Sequence, residues 1–296
     1  MTYQHISFFS DYGTRDEFVG VVKSVIADIA PHATVIDITH DIAAFDVRAG
    51  SLAIARAVPY VARGVVLAVV DPGVGTARRA IAVEVDGGVF VGPDNGLLGS
   101  GVALAGGAVR AVELTNADFH LPAPGATFAG RDIFGPVAAH LCNGVSLDEL
   151  GTPIDPAGIL PGLVPLPRNE GDRLHCEVTW IDGFGNCQLN VGAEDVSSFG
   201  ARVTVTIGSE NPATQIVRSV PIVTSYQDIG GGLGLVVDSY GMLSLCTDRG
   251  SAAREVDATS GMGVIIEHAQ DSGVVTSVQI GRTAPGGAGP ARAPGA

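Results

Sequence analysis

The first half of the chain alternates apolar runs with amphipathic segments, which is the pattern of β-strands joined by crossover helices. Residues 64–70 are apolar almost throughout, as expected for a strand that is covered on both faces. The pattern predicts an N-terminal α/β domain with a mostly parallel sheet. Its predicted strands are residues 5–10, 34–38 and 64–70, and its predicted helices are residues 16–30 and 46–58.

Two further features belong to this domain. Residues 80–85 and 88–91 indicate the strands of a hairpin that turns at Asp86 and Gly87. Residues 132–142 predict a helix with Asp132 in its first turn, where a carboxylate suits the helix dipole. Ligands collect at the carboxyl ends of strands in such a sheet, so the loops that follow the strands are the places to look for a site.

The pattern changes at residues 160–172, where LPGLVPLPRNEGD contains three prolines and two glycines. Proline has no backbone N–H to donate, and proline and glycine both interrupt the regular geometry of helices and sheets. The short β-patterned runs beyond them predict a small all-β barrel domain. We therefore predict an α/β domain over 1–162, a linker over 163–172, a barrel over 173–282 and a disordered tail over 283–296. The β-patterned runs are residues 174–181, 202–207, 214–223, 233–237 and 274–280.

Length and charge narrow the class of protein. The chain has 296 residues, a hydrophobic content of 46% and a formal net charge of -14. Such a length suits two domains, and the acidic balance argues against nucleic acid or an anionic membrane as a partner. The chain has no apolar stretch of the roughly 20 residues that a spanning helix needs, and its first residues lack the order of a signal peptide. We expect a soluble cytoplasmic protein.

The cysteines and several missing motifs exclude other classes. Cys142, Cys176, Cys187 and Cys246 form neither a CxxC pair nor a cluster with zinc-ligand spacing, so we expect buried reduced thiols and no metal site. The chain also lacks GxGxxG after the first strand, GxxxxGK[ST], HExxH and GxSxG. Dinucleotide, P-loop, zincin and α/β-hydrolase functions therefore lose their usual support.

Polar residues follow the first predicted strand in the segment FFSDYGTRDEF. Asp11 leaves the strand, and Asp16 opens the next helix. A carboxylate at either position can accept hydrogen bonds from both hydroxyls of a ribose, or it can cap the helix. The residues alone leave both roles open.

A second cluster lies in VVDPGVGTARR, where Asp71 ends a buried strand and Pro72 with two glycines forces a tight turn. One of the arginines that follow, Arg78 and Arg79, can hold Asp71 in a charge-assisted pair, while the other can be a solvated surface residue. The alternative is a surface turn with an ion pair of little energetic weight.

Three more segments place polar groups at turns. VGPDNGLL, which contains Asn95, indicates an Asp-Asn-Gly turn. GATFAGRDIFGP places Thr127, Phe128 and Gly130 before a helix, and the glycine either allows a ligand to approach the backbone or serves only the turn. WIDGFGNCQLN fits a hairpin turn, although the amide of Asn186 also suits the edge of a purine.

Five motifs, taken in order, resemble those of the S-adenosylmethionine hydroxide adenosyltransferase family, relatives of the fluorinating and chlorinating adenosyl halogenases. They are FFSDYGTRDEFVG, VVDPGVGTARRAIAV, GPDNGLL, TFAGRDIFGPVAAHL and WIDGFGN. The resemblance implies an α/β domain, a C-terminal β-barrel and a homotrimer with substrate sites at the subunit interfaces. It also implies S-adenosyl-L-methionine as the substrate, with no further cofactor.

The resemblance implies a role for each motif residue. Asp71 and Arg78 fall on two members of the family's Asp, Arg, His set, which handles the nucleophilic water. The implied substrate contacts are Asp11 on the ribose diol, Asp16 near the methionine ammonium, Phe45 against the ribose, Asp182 and Asn186 at the amino-acid part and the adenine edge, Tyr226 near the purine and Ser239 at the methionine carboxylate. Asn95, Thr127, Phe128 and Gly130 complete the implied binding residues.

The third member of the water-handling set is missing. The family usually has TFHGRD where this chain has TFAGRD, which puts Ala129 in the place of the histidine. The halogenases also lack this histidine, but they replace the aspartate of DPGVG as well, and this chain keeps Asp71. The resemblance therefore implies hydrolysis to adenosine and methionine, by in-line attack of water on the ribose 5′ carbon. Because of Ala129, two alternatives stay open: a binding protein with little turnover and an adenosyl halogenase. A third alternative is a structural protein without a ligand.

Overall fold

The computed structural model describes residues 2–208 and 215–269. The predicted strand at 274–280 and the predicted tail at 283–296 lie outside the described residues. Among the residues described, no helix combines the length and the apolar character that crossing a bilayer requires. Within the same ranges, no group of three or more His, Cys, Asp and Glu side chains is placed to hold a metal ion.

The first half of the chain folds around a seven-stranded sheet. Its strands are β1 His5–Ser10, β2 Thr34–Thr39, β3 Val65–Val69, β4 Ala80–Val85, β5 Gly88–Pro93, β6 Arg110–Glu113 and β7 Thr152–Ile154. Their order across the sheet is β2-β1-β3-β5-β4-β6-β7. Only β4 and β7 run against the other five strands, which confirms the mostly parallel sheet. The predicted hairpin of β4 and β5 is confirmed as well.

Helices cover both faces of this sheet. They are α1 Phe18–Ile29, α2 Val47–Ala57, α3 Gly99–Leu104 and α4 Gly135–Cys142. Neighbouring residues of β1 show the two layers, because Phe8 packs with α1 and α4 whereas Phe9 packs with α2 and α3. Every residue of β3 is buried for the same reason, as its unbroken apolar run predicts.

The segment predicted as one helix over 132–142 consists of two elements. Gly130–Phe134 forms a π-helical turn, and α4 starts only at Gly135. Pro136 explains the break, because it has no backbone N–H to donate to the carbonyl of Asp132. That carbonyl accepts a hydrogen bond of 2.8 Å from Leu121 N instead. The preceding loop is thereby tied to the start of the helix.

The second half forms a closed β-barrel. Its strands are β8 Arg168–Asn169, β9 Arg173–Ile181, β10 Cys187–Gly192, β11 Arg202–Ile207, β12 Ile216–Val223, β13 Leu233–Val237, β14 Met242–Thr247 and β15 Gly263–His268, with the short helix α5 Ala252–Glu255 before the last strand. Seven strands close in the order β9-β10-β14-β13-β12-β11-β15, and β15 returns to β9. β8 lies within the predicted linker and pairs with β9. All four cysteines are buried free thiols, as predicted.

The two halves contact each other through α2 and β9. Arg48 of α2 forms an ion pair with Glu177 of β9. About two turns further along α2, the guanidinium of Arg56 lies 4.2 Å from the ring centroid of Trp180. Burial lowers the pKa of Arg56 to about 10, so this cation stays charged at neutral pH. These contacts attach the barrel to the helix layer on one face of the sheet.

Candidate active site

The site is built around Asp71, which follows β3 at the carboxyl end of the parallel strands. Its side chain is only 5% exposed, and Arg78 approaches it with a guanidinium that is 15% exposed. Arg78 Nε lies 3.0 Å from Oδ1 and 2.9 Å from Oδ2 of Asp71, and Nη2 lies 2.5 Å from Oδ2. This is a buried charge-assisted pair. The alternative of a surface turn with a minor ion pair is therefore wrong.

The turn between these two residues is closed by its own backbone. Val74 N donates to Asp71 O at 3.2 Å, and Thr76 N donates to Gly73 O at 3.1 Å. Gly75 has a φ of 78°, in the left-handed region that glycine enters without steric cost. The glycines of DPGVG thus fold the chain back so that Arg78 reaches Asp71.

Arg79 is not the solvated residue that the sequence allowed. Its Nε lies 2.9 Å from Asp94 Oδ2, and its Nη2 donates to Gly158 O at 2.7 Å. The Asp94 side chain is 2% exposed, and its Oδ1 accepts from Leu160 N at 2.9 Å. Arg79 therefore ties the Asp-Asn-Gly turn to the chain that leaves the α/β domain.

Asn95 stands behind Asp71 rather than in a cleft. Its Nδ2 donates to Val70 O at 2.9 Å, and its Oδ1 accepts from Leu97 N at 3.1 Å. Both functions of the amide group thus serve the backbone next to Asp71. The predicted turn is confirmed, and a contact of Asn95 with substrate stays a prediction.

A cleft of about 420 Å³ opens in front of Asp71, and we call it the front cleft. It gathers residues from three of the five motifs and from the segment around Phe45, as the resemblance implies. The predicted residues that line it are Asp11, Asp16, Phe45, Asp71 and Thr127, together with Ala129, for which the resemblance implies a histidine in the family. Phe128 and Gly130 do not line this cleft.

Asp11 supports the wall of the front cleft through Phe45. Its Oδ2 accepts a hydrogen bond of 2.9 Å from Phe45 N. Phe45 has a φ of 68°, which is unusual for a bulky residue, and its side chain is 72% exposed at the cleft. Helix α1 has Glu17 as its N-cap residue and no side-chain cap. The capping role considered for Asp11 and Asp16 is therefore wrong.

Tyr12 is a residue of the front cleft that the sequence prediction missed. Burial, reinforced by the charges of Asp11 and Asp71, raises the pKa of its phenol well above the ordinary value. The hydroxyl is therefore a donor at every physiological pH. A Cβ on Gly130 would lie 2.3 Å from Tyr12 Oη, so Gly130 makes room for this phenol. The one available signal was its place between Asp11 and Gly13 at the end of a strand.

Phe128 packs behind this tyrosine. Its ring centroid lies 5.8 Å from that of Tyr12 and 5.0 Å from that of Phe18, both with nearly perpendicular rings. Tyr12 and Phe18 line the front cleft themselves. Phe128 therefore supports two rings of the wall, and a direct contact with substrate stays a prediction.

The predicted residues of the barrel lie together in a different cleft, of about 1080 Å³, which we call the barrel cleft. It is lined by Asp182, Asn186, Tyr226 and Ser239, among others. Asp182 Oδ1 accepts from the backbone N of Asn186 at 2.9 Å, and Asn186 Nδ2 donates to Asp182 Oδ2 at 2.8 Å. The predicted hairpin turn between β9 and β10 is confirmed, and it also presents these two side chains to the cleft.

The front cleft and the barrel cleft share no lining residue. The α/β half of the candidate site and the barrel half therefore form two separate surfaces of one chain. Phe184 at the barrel cleft is 81% exposed, and Phe45 at the front cleft is 72% exposed. Each cleft thus carries an exposed aromatic ring.

Comparison with known proteins bears on both halves. Residues 6–151 match the SAM hydroxide adenosyltransferase N-terminal domain, and residues 176–265 match the C-terminal domain of that name. The chain belongs to the SAM hydroxide adenosyltransferase family. The family match spans the front cleft and the barrel cleft alike, so both halves of the candidate site lie within it.

Individual relatives agree with this membership. A Salinispora tropica protein named (R)-S-adenosyl-L-methionine hydrolase is 43% identical over 257 residues, which cover 86% of this chain and 95% of the relative. A fluorinase of an Actinoplanes species is 27% identical over 297 residues, covering 89% of this chain and 97% of that one. A crystal structure of an uncharacterized conserved protein from Thermotoga maritima superposes with a TM-score of 0.80 at 33% identity, covering 88% of this chain and 99% of the other.

Proposed function

We propose that this SAM hydroxide adenosyltransferase hydrolyses S-adenosyl-L-methionine to adenosine and L-methionine. The observation that carries the proposal is the buried pair of Asp71 and Arg78 at the front cleft, which Asp11, Phe45 and Thr127 also line. The relatives named (R)-S-adenosyl-L-methionine hydrolase support the same chemistry. Their name specifies the R configuration at the sulfonium, so this epimer is the substrate that we propose.

The main task of the protein in this reaction is to position the nucleophile. Attack on a primary carbon that carries a sulfonium leaving group needs no acid to assist departure, so water must be oriented in line and stripped of its hydration. The proposed reaction needs only substrate and water, with no further cofactor.

The Asp71 carboxylate cannot form free hydroxide beforehand. An ordinary aspartate has a pKa of about 3.9 and water has a pKa of about 15.7, a difference of about 12 units. Complete transfer of a proton from water to such a carboxylate would therefore cost about 16 kcal/mol. Asp71 therefore takes the proton as the bond from oxygen to carbon develops. Arg78 fixes the orientation of the carboxylate until that moment.

Halogenation is the second candidate, because fluorinases are among the relatives. Water can donate a hydrogen bond to the carboxylate oxygens of Asp71, whereas a halide has no proton to donate and would meet the lone pairs of these oxygens. The buried Asp71 therefore favours water as the nucleophile. A binding protein with little turnover is the third candidate, and Ala129 in the place of the family histidine is the feature that favours it.

One incubation separates these candidates. Purified protein is mixed with each sulfonium epimer of S-adenosylmethionine in a chloride buffer made with ¹⁸O-labelled water, and the products are separated by chromatography. We expect adenosine that carries the label at its 5′ oxygen, formed faster from the R epimer. 5′-Chloro-5′-deoxyadenosine would indicate the halogenase, and intact substrate would indicate the binding protein.

We also propose that the complete site forms between subunits of a homotrimer. The support is that one chain carries the two halves of the candidate site in clefts that share no residue. A closed ring of three chains would set the front cleft of each subunit against the barrel cleft of the next. The cytoplasmic location expected from the sequence stays a prediction.

A further inference from the structure

A second cleft adjoins the front cleft at Ala129. It has a volume of about 410 Å³, and its lining includes Arg78, His120, Ala129 and Asp132; we call it the His120 cleft. Ala129 lines both clefts, and it is the residue that stands where the family has histidine. The methyl group of Ala129 therefore borders both the front cleft and the His120 cleft.

His120 has a nitrogen that is buried and unused. Its Nε2 has no hydrogen-bond partner among the residues that the structure describes. The loop around it is fixed, because Leu121 N donates to Asp132 O at 2.8 Å and the ring of Phe119 packs on His140 with centroids 5.0 Å apart. Buried polar atoms are nearly always paired, so an unpaired nitrogen on a residue that lines a cleft calls for a partner such as an ordered water.

The chemistry of the proposed function leaves a proton to be removed. The bond from water oxygen to C5′ forms, and the bond from C5′ to sulfur breaks with its electron pair moving to sulfur. A sulfonium cation and water thus become adenosine, methionine and one proton, which Asp71 receives first. The Asp71 side chain is 5% exposed, and bound substrate would occupy the cleft in front of it.

We propose that His120 accepts this proton from Asp71, through water held in the His120 cleft, and passes it to solvent. His120 thereby supplies the imidazole that position 129 lacks. The proposal rests on the proposed hydrolysis, and it concerns the step that restores Asp71 to its ionised form after each turnover.

The charges around His120 set the expected pH dependence. Arg78 and Asp132 face the cleft with it, the former paired with Asp71 and the latter with Arg131. His140 lies on the neighbouring helix α4, against Phe119. Burial lowers the pKa of His120 below its usual value of 6.5. The accepting, neutral form is therefore present at neutral pH, and turnover should fall as the pH drops through this lowered pKa.

The test compares the full-length protein with His120→Ala and His120→Gln from about pH 5 to about pH 8, the range in which histidine titrates. We expect both variants to lose kcat about 10- to 100-fold with KM little changed, the lower part of the usual effect of a proton-transfer group. The pH at which kcat has fallen to half of its maximum should also shift in both variants. Added imidazole should restore part of the kcat of His120→Ala, because it can enter the space of the missing ring.

A matched control is His140→Gln, because His140 is also half-buried with a pKa that burial lowers, yet it does not line the His120 cleft. It should keep the kcat and the pH profile of the original chain. In the Ala129→His background, His120→Ala should cost less than it does alone. A folded His120→Gln with unchanged kcat and pH profile would overturn the proposal. Failure of the original chain to form adenosine would overturn the proposed hydrolysis instead.

Discussion

The Arg78 guanidinium holds both carboxylate oxygens of Asp71, with Nε 3.0 Å from Oδ1 and 2.9 Å from Oδ2. A lysine ammonium cannot reproduce this planar fork. We expect Arg78→Lys to lower kcat for adenosine formation on the order of 10²-fold, because Asp71 would lose its fixed orientation toward the water. Steady-state kinetics with chromatographic detection of adenosine measures the effect.

Arg79→Lys is the matched control for that variant. Arg79 makes the same kind of pair with Asp94, but neither residue lines the front cleft. Its replacement should lower the free energy of unfolding by about 1–3 kcal/mol, the usual cost of disturbing a hydrogen bond to a buried charge, and leave kcat unchanged. Equal losses of kcat in the two variants would contradict a special role for the pair at the cleft.

Gly130→Ala tests the contact between the π-helical turn and Tyr12. The new Cβ would lie 2.3 Å from Tyr12 Oη, so the phenol must move. We expect a loss of about 1–3 kcal/mol in the free energy of unfolding, as for other overpacked sites, and a higher KM because Tyr12 lines the front cleft. Urea unfolding and kinetics measure the two effects.

Gly125→Ala serves as the control in the same loop. A Cβ there meets nothing within 4 Å, and no positive φ opposes the change. Its stability should be equal to or slightly above that of the original chain. If Gly130→Ala were as stable as Gly125→Ala, the close approach of Tyr12 to residue 130 would be in error.

Ala129→His introduces the side chain that the resemblance implies for this position of the family. Ala129 is 5% exposed and lines both the front cleft and the His120 cleft, so an imidazole there would lie beside the water-handling pair. We expect the rate of adenosine formation to rise, within the range of about 10²- to 10⁴-fold that an acid-base group contributes. Ala129→Asn, which is polar but does not titrate near neutral pH, should not reproduce the gain. An unchanged rate in Ala129→His would show that the position is idle.

Mixing of subunits tests whether the site is shared. Asp71→Asn disables the front cleft and Asn186→Ala weakens the barrel cleft, so each variant alone should be nearly inactive. In randomly mixed trimers about one quarter of the sites would combine two intact halves, and activity should return to about that fraction. Mixtures that stay as inactive as the separate variants would place the complete site within one chain. Light scattering of the same samples measures the number of subunits.

The sequence was informative where one local pattern decided the structure. β1, β11 and β13 have the predicted bounds, because apolar or alternating runs end there at polar or glycine residues. β10 was missed because Gln188 and Asn190 interrupt its apolar character. Gln188 is buried through a hydrogen bond of 2.6 Å to Asp238 Oδ2, a partner that lies far along the chain. No local pattern reveals such a partner.

The residues of the candidate site were also predicted only in part. The motifs pointed to most residues of the two clefts, because those residues lie at strand ends and turns. They did not reveal that Arg79 is bound by Asp94, nor that Tyr12 supports the front cleft. His120 belongs to no motif and enters the site only through folding, which brings the loop after β6 beside Ala129. The separation of the two clefts likewise required the three-dimensional structure.

In the proposed hydrolysis, the pairing of Asp71 with Arg78 would also set how binding energy is distributed along the reaction. The sulfonium loses its positive charge as the carbon–sulfur bond breaks, so a lone carboxylate beside it would stabilise the substrate more than the transition state. An interaction that stabilises the substrate as much as the transition state, or more, does not accelerate the reaction. Because Arg78 neutralises the carboxylate, the substrate gains little from this charge before the attack begins. The pair can then respond to the proton of the water, whose charge appears only as the reaction proceeds.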